Sequence, residues 1–193
     1  MTEEELMKAI CSGNQTAYQT VVKQHLPSIS HYAFRLLGNS KDTEDIAQET
    51  FLKLWTNATS WNPKKAKLST WLHRITHNLC IDYLRKHGRL QTQANFDEAD
   101  EEKLIEPHIK DTEREKLQTL SLALNQLPEN QRSAIMLCTM QNFSNQEAAD
   151  IMSVSVKALE STLARARRSL RVIIQEFDKQ QPIEKLLSER EQL

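Results

Sequence analysis

Glycine is scarce in this chain: three residues in 193, Gly13, Gly38 and Gly88. They are too few and too scattered to build a phosphate-cradling loop of the G-x-G-x-x-G or Walker A kind. Cysteine is scarce too. Cys11, Cys80 and Cys138 are odd in number and far apart, which argues against a disulfide framework and fits a reducing cytoplasm. No apolar run approaches the ~20 residues of a membrane span, so no membrane insertion is expected. The acidic opening MTEEELMKAI lacks the apolar core of a secretory signal. No carboxylate cluster or nucleophile–base pairing points to an enzyme. β-Branched runs are few, whereas Leu, Glu, Gln, Lys and Arg abound, and that balance predicts an all-α chain. The length suits one or two small domains.

The net charge of −1 conceals a strong segregation. From Trp61 to Arg89, seven Lys/Arg stand against Asp82 alone, a local +6. From Asp97 to Glu115, nine acids stand against three bases, a local −6. From Lys157 to Arg171, five bases stand against Glu160, a local +4. Two basic blocks flanking an acidic one suggest two nucleic-acid-binding modules joined by a linker.

The pattern along the chain supports that division. Residues 1–88 carry helical periodicity, punctuated by Gly13, Pro27 and the Gly38-Asn39-Ser40 break. Residues 89–111 lose periodicity, gain acid and contain Pro107, and so are expected to be a flexible linker. A second module is expected over 112–172. Thr112 and Glu115 form a capping box ahead of Leu117, Leu120, Leu124 and Leu127, which share a helical face, and Pro128 suits the first turn of the next helix. Residues 173–193 are expected to be a frayed tail.

The clearest local motif is FSNQEAADIMSVSVKALESTLARARRSLR. Ser144 and Glu147 make a second capping box that opens a short helix. A three-residue turn, Ser153-Val154-Ser155, precedes another helix, which is the length pattern of a helix-turn-helix. At about 100° per residue, Leu159, Leu163, Ala166 and Leu170 fall on one side. Lys157, Ser161, Ala164, Arg165 and Arg168 fall on the other, with Glu160 next to them.

A second segment, HRITHNLC, resembles a metal site at first sight. On a helix capped by Ser69 or Thr70 and running from Trp71 to about His87, Leu72, Ile75, Leu79 and Tyr83 form a core face. Arg74, Asn78 and Arg85, beside Trp71, form the opposite face. His73, His77 and Cys80 lie on a third face. A structural zinc wants a fourth ligand, and none is evident nearby, so neither a metal nor any other cofactor is expected. Amide and guanidinium groups beside an indole suit unstacked bases and phosphates.

Three segments together resemble the bacterial RNA polymerase sigma factors of the small extracytoplasmic-function (ECF) type: DTEDIAQETFLKLW (42–55), STWLHRITHNLCIDYLRK (69–86) and the stretch from Leu127 to Arg171. The resemblance implies one helical domain for the minus-ten promoter element and one for the minus-thirty-five element. It implies that core RNA polymerase, promoter DNA and an anti-sigma factor are the partners. By spacing, Ile46, Phe51, Leu54 and Trp55 of the first segment point inward and leave Asp45, Gln48 and Glu49 exposed. Gln48 and Glu49 match the family positions that dock on the polymerase's largest subunit. In the family, the loop TSWNPKKAKLST, with Trp61, Lys64, Lys65 and Lys67, helps hold a base flipped from the minus-ten duplex, and Asn78 matches a position that contacts it. The last helix departs from the commonest family pattern: Glu160-Ser161-Thr162 replaces a basic residue followed by Ser-Arg, Ala164 replaces a bulkier residue, and Ser153 stands where Gly is usual. Glutamate can accept from cytosine N4, which implies an altered minus-thirty-five element.

A free-standing regulator reading duplex DNA through the second module is the rival reading. Such a protein needs neither the aromatic and basic 61–87 segment nor the Gln48–Glu49 face.

Overall fold

The computed structural model describes residues 1–87 and 111–190, with side chains placed for 1–87, 119–177 and Lys179. The described residues are helical throughout, joined by short turns, with no strand among them. The expected linker and the Thr112–Glu115 capping box lie outside the described backbone or side chains.

In the first module, α1 (Glu3–Cys11) opens with a capping box: Thr2 Oγ1 accepts from the Glu5 amide and Glu5 returns to the Thr2 amide. Helix α2 (Gln15–Leu37) starts at Asn14, whose side chain accepts from the Ala17 amide at 2.9 Å. It ends at Gly38, where φ of 82° is a left-handed stop that costs glycine nothing. Pro27 does not punctuate this helix as expected. Helix α2 passes straight through it, and the buried Val21, Ile29, Tyr32 and Ala33 supply packing that outweighs one missing backbone bond. Helix α3 (Ser40–Asn57) is capped by Asn39, and a single 3-10 turn (Ala58–Ser60) leads to the loop before α4 (Leu68–His87).

In the second module, α5 (Asp111–Gln126) is followed by α6 (Glu129–Ile135), with Pro128 at its N-cap. Helix α6 winds on into a π-helical turn, Met136–Met140. Helix α7 (Asn145–Met152) begins at the predicted capping box. Ser153 then adopts φ 55° and ψ 42°, and α8 (Val156–Arg190) follows. The backbone of α8 stays helical to Arg190, so the described part of the expected tail continues the last helix.

Two apolar cores hold these elements. The first is private to the N-terminal module: Leu6, Met7, Ile10, Val21, Ile29, Phe51, Leu54, Trp61, Leu68 and Leu72. The second is shared. Tyr32, Ala33, Leu36, Leu37 and Cys80 meet Leu124, Leu127, Met136, Leu137, Ala148, Ile151, Leu159 and Leu163 in one continuous cluster. The modules therefore pack face to face, with α7 against α4 and α6 against α2.

That packing explains the misplaced core face of α4. Ile75, Leu79 and Tyr83 are only half-buried, while Leu72, His73, Thr76, His77 and Cys80 are buried. A helix covered by α2 and α3 on one flank and by α7 on another buries a wider arc than apolar periodicity marks. The helix also starts before Trp71, taking Ser69 and Thr70 into its first turn.

Candidate polymerase and promoter surfaces

Helix α3 builds the first surface. Asn39 Oδ1 accepts from the Asp42 amide at 2.9 Å, which fixes the helix start, and the buried Thr43, Ile46, Ala47, Thr50, Phe51 and Leu54 fix its rotation. Asp45 and Gln48 then face solvent, as does much of Glu49, which pairs with Lys53 at 3.5 Å. These carboxylates rim a groove of about 760 Å3 between α2 and α3, floored by Tyr18, Val22, Ala47 and Phe51. Trp55 does not point inward as the spacing predicts: it is 36% exposed and meets Tyr18 edge-on at 5.2 Å. Leu26 (40% exposed) and Leu52 (53% exposed) lie on the same outer side. The sequence reading missed this apolar component. Leu52, one turn beyond Gln48, was its available signal.

The second surface is α4 with the loop before it. Arg74, Asn78 and Arg85 are all exposed, and Arg85 lies 3.5 Å from Asp82. Trp71 is half-buried against the first core. Trp61 is 9% exposed, and its indole N–H donates to the Ala66 carbonyl at 3.1 Å. Its ring shapes the loop from within. Lys64 and Lys65 are exposed on that loop. Beside them, Trp61, Pro63, Ala66 and Lys67 line a cleft of about 530 Å3 against the start of α1.

The histidine–cysteine trio does not converge. His73 Nδ1 lies 2.8 Å from the Ser69 carbonyl, and its Nε2 lies 3.1 Å from the Ser28 hydroxyl. His77 Nδ1 lies 2.9 Å from the Tyr32 hydroxyl. Burial presses both imidazoles down to about 4, with the Ser69 carbonyl opposing it at His73. Burial also pushes the Cys80 thiol up. Neutral rings and an intact thiol, each with its own surroundings, pack as core. Among the described residues no group of His, Cys, Asp and Glu is placed to hold a metal ion.

The third surface is the start of α8. The Ser155 hydroxyl accepts from the Ala158 amide at 3.2 Å, and Leu159, Leu163 and Ala166 bury its inner side. Lys157, Glu160, Ser161, Ala164, Arg165 and Arg168 are all exposed. Arg165 folds along its own helix, with Nε 3.4 Å from the Ser161 carbonyl, so its guanidinium is held over the exposed face.

The module contact draws on residues from both sides. Gln141 Oε1 accepts from the Ser28 hydroxyl at 2.6 Å, and its Nε2 lies 3.3 Å from His31 Nδ1. Phe143 meets His73 edge-on at 4.8 Å. Arg132, from α6, donates to the carbonyls of Arg35 and Leu36 and to those of Asn125 and Leu127. Arg35 reaches the Ser121 hydroxyl. Lys67 pairs with Glu147 at 2.9 Å. Partial burial alone would raise the Glu147 carboxyl, but the Ser144 amide and Lys67 outweigh it and leave the group below its usual range.

Comparison with known proteins matches residues 21–90 to the family described as Sigma-70 region 2 and residues 117–170 to that described as Sigma-70, region 4. The ECF RNA polymerase sigma factor EcfG of Rhodopseudomonas palustris (strain TIE-1) is 31% identical over 149 residues, covering 77% of this chain and 80% of that protein. The ECF RNA polymerase sigma factor SigE of Mycolicibacterium smegmatis is 31% identical over 165 residues, or 83% of this chain, which spans only 63% of that longer relative. Among solved structures, the sigma factor RpoE in complex with the anti-sigma factor NepR from Bartonella quintana aligns with a TM-score of 0.64 at 27% identity, covering 82% of this chain and 96% of that one. With both Sigma-70 regions in order on an all-helical scaffold, the chain belongs to the ECF sigma factors of RNA polymerase.

Proposed function

We propose that this protein binds core RNA polymerase, carries it to particular promoters and starts strand opening there, a stoichiometric role without chemistry of its own. The α2–α3 groove is the polymerase surface. Its floor is apolar and its rim holds Glu44, Asp45 and Glu49, so it suits a helical partner with a basic flank and an apolar ridge. The Arg74–Asn78–Arg85 face of α4, with Lys64, Lys65 and Lys67 on the loop, takes the minus-ten element. Asn78 offers an amide to a base that has left the stack, and the cations take phosphates. The exposed start of α8 reads the minus-thirty-five element through Lys157, Glu160, Ser161 and Ala164, with Arg165 and Arg168 holding the backbone.

The observation that carries this reading is the presence of two separate basic, exposed helix faces on two modules, together with an acid-rimmed apolar groove. A regulator of duplex DNA needs only one of the three. An anti-sigma factor is the regulatory partner this reading implies, as in the RpoE–NepR complex. The test is run-off transcription on genomic fragments with purified core polymerase. Discrete starts that depend on the added chain are expected. Failure to co-purify with core polymerase, or the same starts from core polymerase alone, would overturn the proposal.

A further inference from the structure

We infer that Glu3 is a positioning residue for promoter opening: its carboxylate, on α1, caps the first turn of α4 and so fixes the Asn62–Lys67 loop against the Arg74–Asn78 face. The inference rests on the promoter assignment above, but the cap itself is tested without DNA.

The start of α4 draws its cap from elsewhere in the chain. The first amides of a helix have no intrahelical partner, and a Ser, Thr, Asp or Asn at the cap position ordinarily accepts from one of them. Here that position falls to Lys67. Its carbonyl accepts from the Trp71 amide at 3.1 Å, but a lysine ammonium can only donate. Ser69 and Thr70 stand inside the first turn, and among the described residues the Thr70 hydroxyl is buried without a hydrogen-bond partner. The Leu68 amide donates instead to Glu3 Oε2 at 3.4 Å, across 65 positions of sequence. The bond is long, but a carboxylate at the positive end of a helix is favoured by the helix dipole as well as by the contact.

Glu3 is placed for this task and its acidic neighbours are not. Leu6, Met7 and Ile10 anchor α1 in the first core beside Trp61, Leu68 and Leu72. Glu3 continues that stripe one turn toward the N-terminus, so an acid stands where an apolar residue would be expected. It is half-buried, whereas Glu4 and Glu5 are exposed, and Glu5 already accepts from the Thr2 amide.

The loop is one tied unit that ends at this point. The Asn62 carbonyl accepts from the Lys65 and Ala66 amides at 3.0 and 3.2 Å, and its Oδ1 accepts from the Lys64 amide at 3.0 Å. The Trp61 indole closes the unit on the Ala66 carbonyl. A cleft of about 530 Å3 parts Pro63, Ala66 and Lys67 from Thr2 and Glu4, so close packing does not join loop to α1 there, and the Glu3–Leu68 bond bridges the two. The Lys67–Glu147 pair reaches the same junction, but it holds the tip of a side chain that is 72% exposed and leaves the backbone alone. Trp71, Arg74 and Asn78 follow on the same helix. Lys64 and Lys65 therefore keep their relation to Asn78 while this junction is held.

Hydrogen exchange followed by NMR on the full chain tests the cap. The Leu68 amide should exchange about tenfold faster in Glu3→Ala than in the wild type, with amides in the middle of α4 unchanged. Glu3→Gln, whose amide oxygen still accepts, should restore most of the protection, and Glu4→Ala should leave it intact. Equal exchange at Leu68 in Glu3→Ala and the wild type overturns the cap, whatever the fate of the promoter assignment. On one promoter, Glu3→Ala should also lower the permanganate reactivity of thymines about fivefold, with Glu3→Gln recovering it. Core-polymerase binding and duplex binding by the holoenzyme should stay near the wild-type values. A merely structural role would move all three readouts together, and that result overturns the inference, as does normal opening in Glu3→Ala. Asn78→Ala, run alongside, separates the two readings. If it too opens normally, the promoter assignment has failed; if it alone is impaired, the positioning role has.

Discussion

Asn78→Ala separates the proposed role of this residue from the stability of its helix. Asn78 is exposed in the middle of α4, and no hydrogen bond to its side chain is seen among the described residues. Nothing in the fold is lost by truncating it. Alanine is the better helix former by about 0.5 kcal/mol, so for a chain of this size the melting temperature should hold or rise by about 1–2 °C. The functional loss points the other way. An amide holding an extruded base makes one or two hydrogen bonds that exist only after the base leaves the stack. Each is worth about 1 kcal/mol, and more where a buried base edge is left unpaired. A total of about 1–2 kcal/mol corresponds to opening that is about five- to thirtyfold weaker, at 1.4 kcal/mol per factor of ten. Duplex binding by the holoenzyme rests on phosphate contacts and on α8, and should barely change. The assay pairs holoenzyme binding with permanganate reactivity of thymines on one promoter. Equal losses of binding and opening, or a fall in melting temperature that accounts for both, would refute the assignment of Asn78 to the melted base.

Ser153→Gly should stabilise the protein by about 1 kcal/mol, because φ of 55° at Ser153 is strained for any residue with a Cβ. Thermal melting would show this as a rise of about 2–4 °C, and a fall would show that Ser153 makes an interaction worth more than the strain. Adding positive charge at the groove with Gln48→Lys and Glu49→Lys should weaken core-polymerase binding in a pull-down while leaving the melting temperature nearly unchanged; unaltered binding would remove the groove from the docking surface. His77 sets an acid limit. Its folded value of about 4 lies below the ordinary 6.5, so the unfolded chain binds the proton first. Stability is fully present above about pH 6.5 and falls as the pH drops toward 4, by about 1.4 kcal/mol at pH 5.5. A His77→Gln chain should show a shallower loss in urea melts across that window, and an identical slope would place the acid sensitivity elsewhere. Glu160→Arg should change the preferred minus-thirty-five sequence without abolishing transcription, and selection of the same consensus by both forms would show that Glu160 does not read a base.

Legibility of the fold from sequence followed the range of the interactions. The α7 capping box, the Ser153 turn and the exposed face of α8 depend on residues within a few positions of one another, and all three stand where the pattern put them. Asp45, Gln48, Arg74 and Asn78 were legible for the same reason: their exposure follows from the rotation of a single helix. The buried stripe of α4 was not, because His73 and His77 are buried by Phe143 and Tyr32, and a histidine carries no apolar signal. The burial of Trp61 was not legible either, because composition cannot show the Ala66 carbonyl waiting for its indole N–H. The grip of Gln141 on Ser28 joins positions 113 residues apart, a separation at which spacing carries no information. Pro27 misled in the opposite sense, since a local rule lost to the packing of α2.

The shared core has a consequence for any change that parts the two modules. Tyr32, Leu36, Leu37 and Cys80 are water-free in part because the second module covers them. A variant with its modules held apart would show water an apolar wall that the private first core does not need. Such a wall is sticky, and two such variant chains meeting each other would find matching faces. Solubility should therefore fall steeply for any variant that holds the modules apart in free solution.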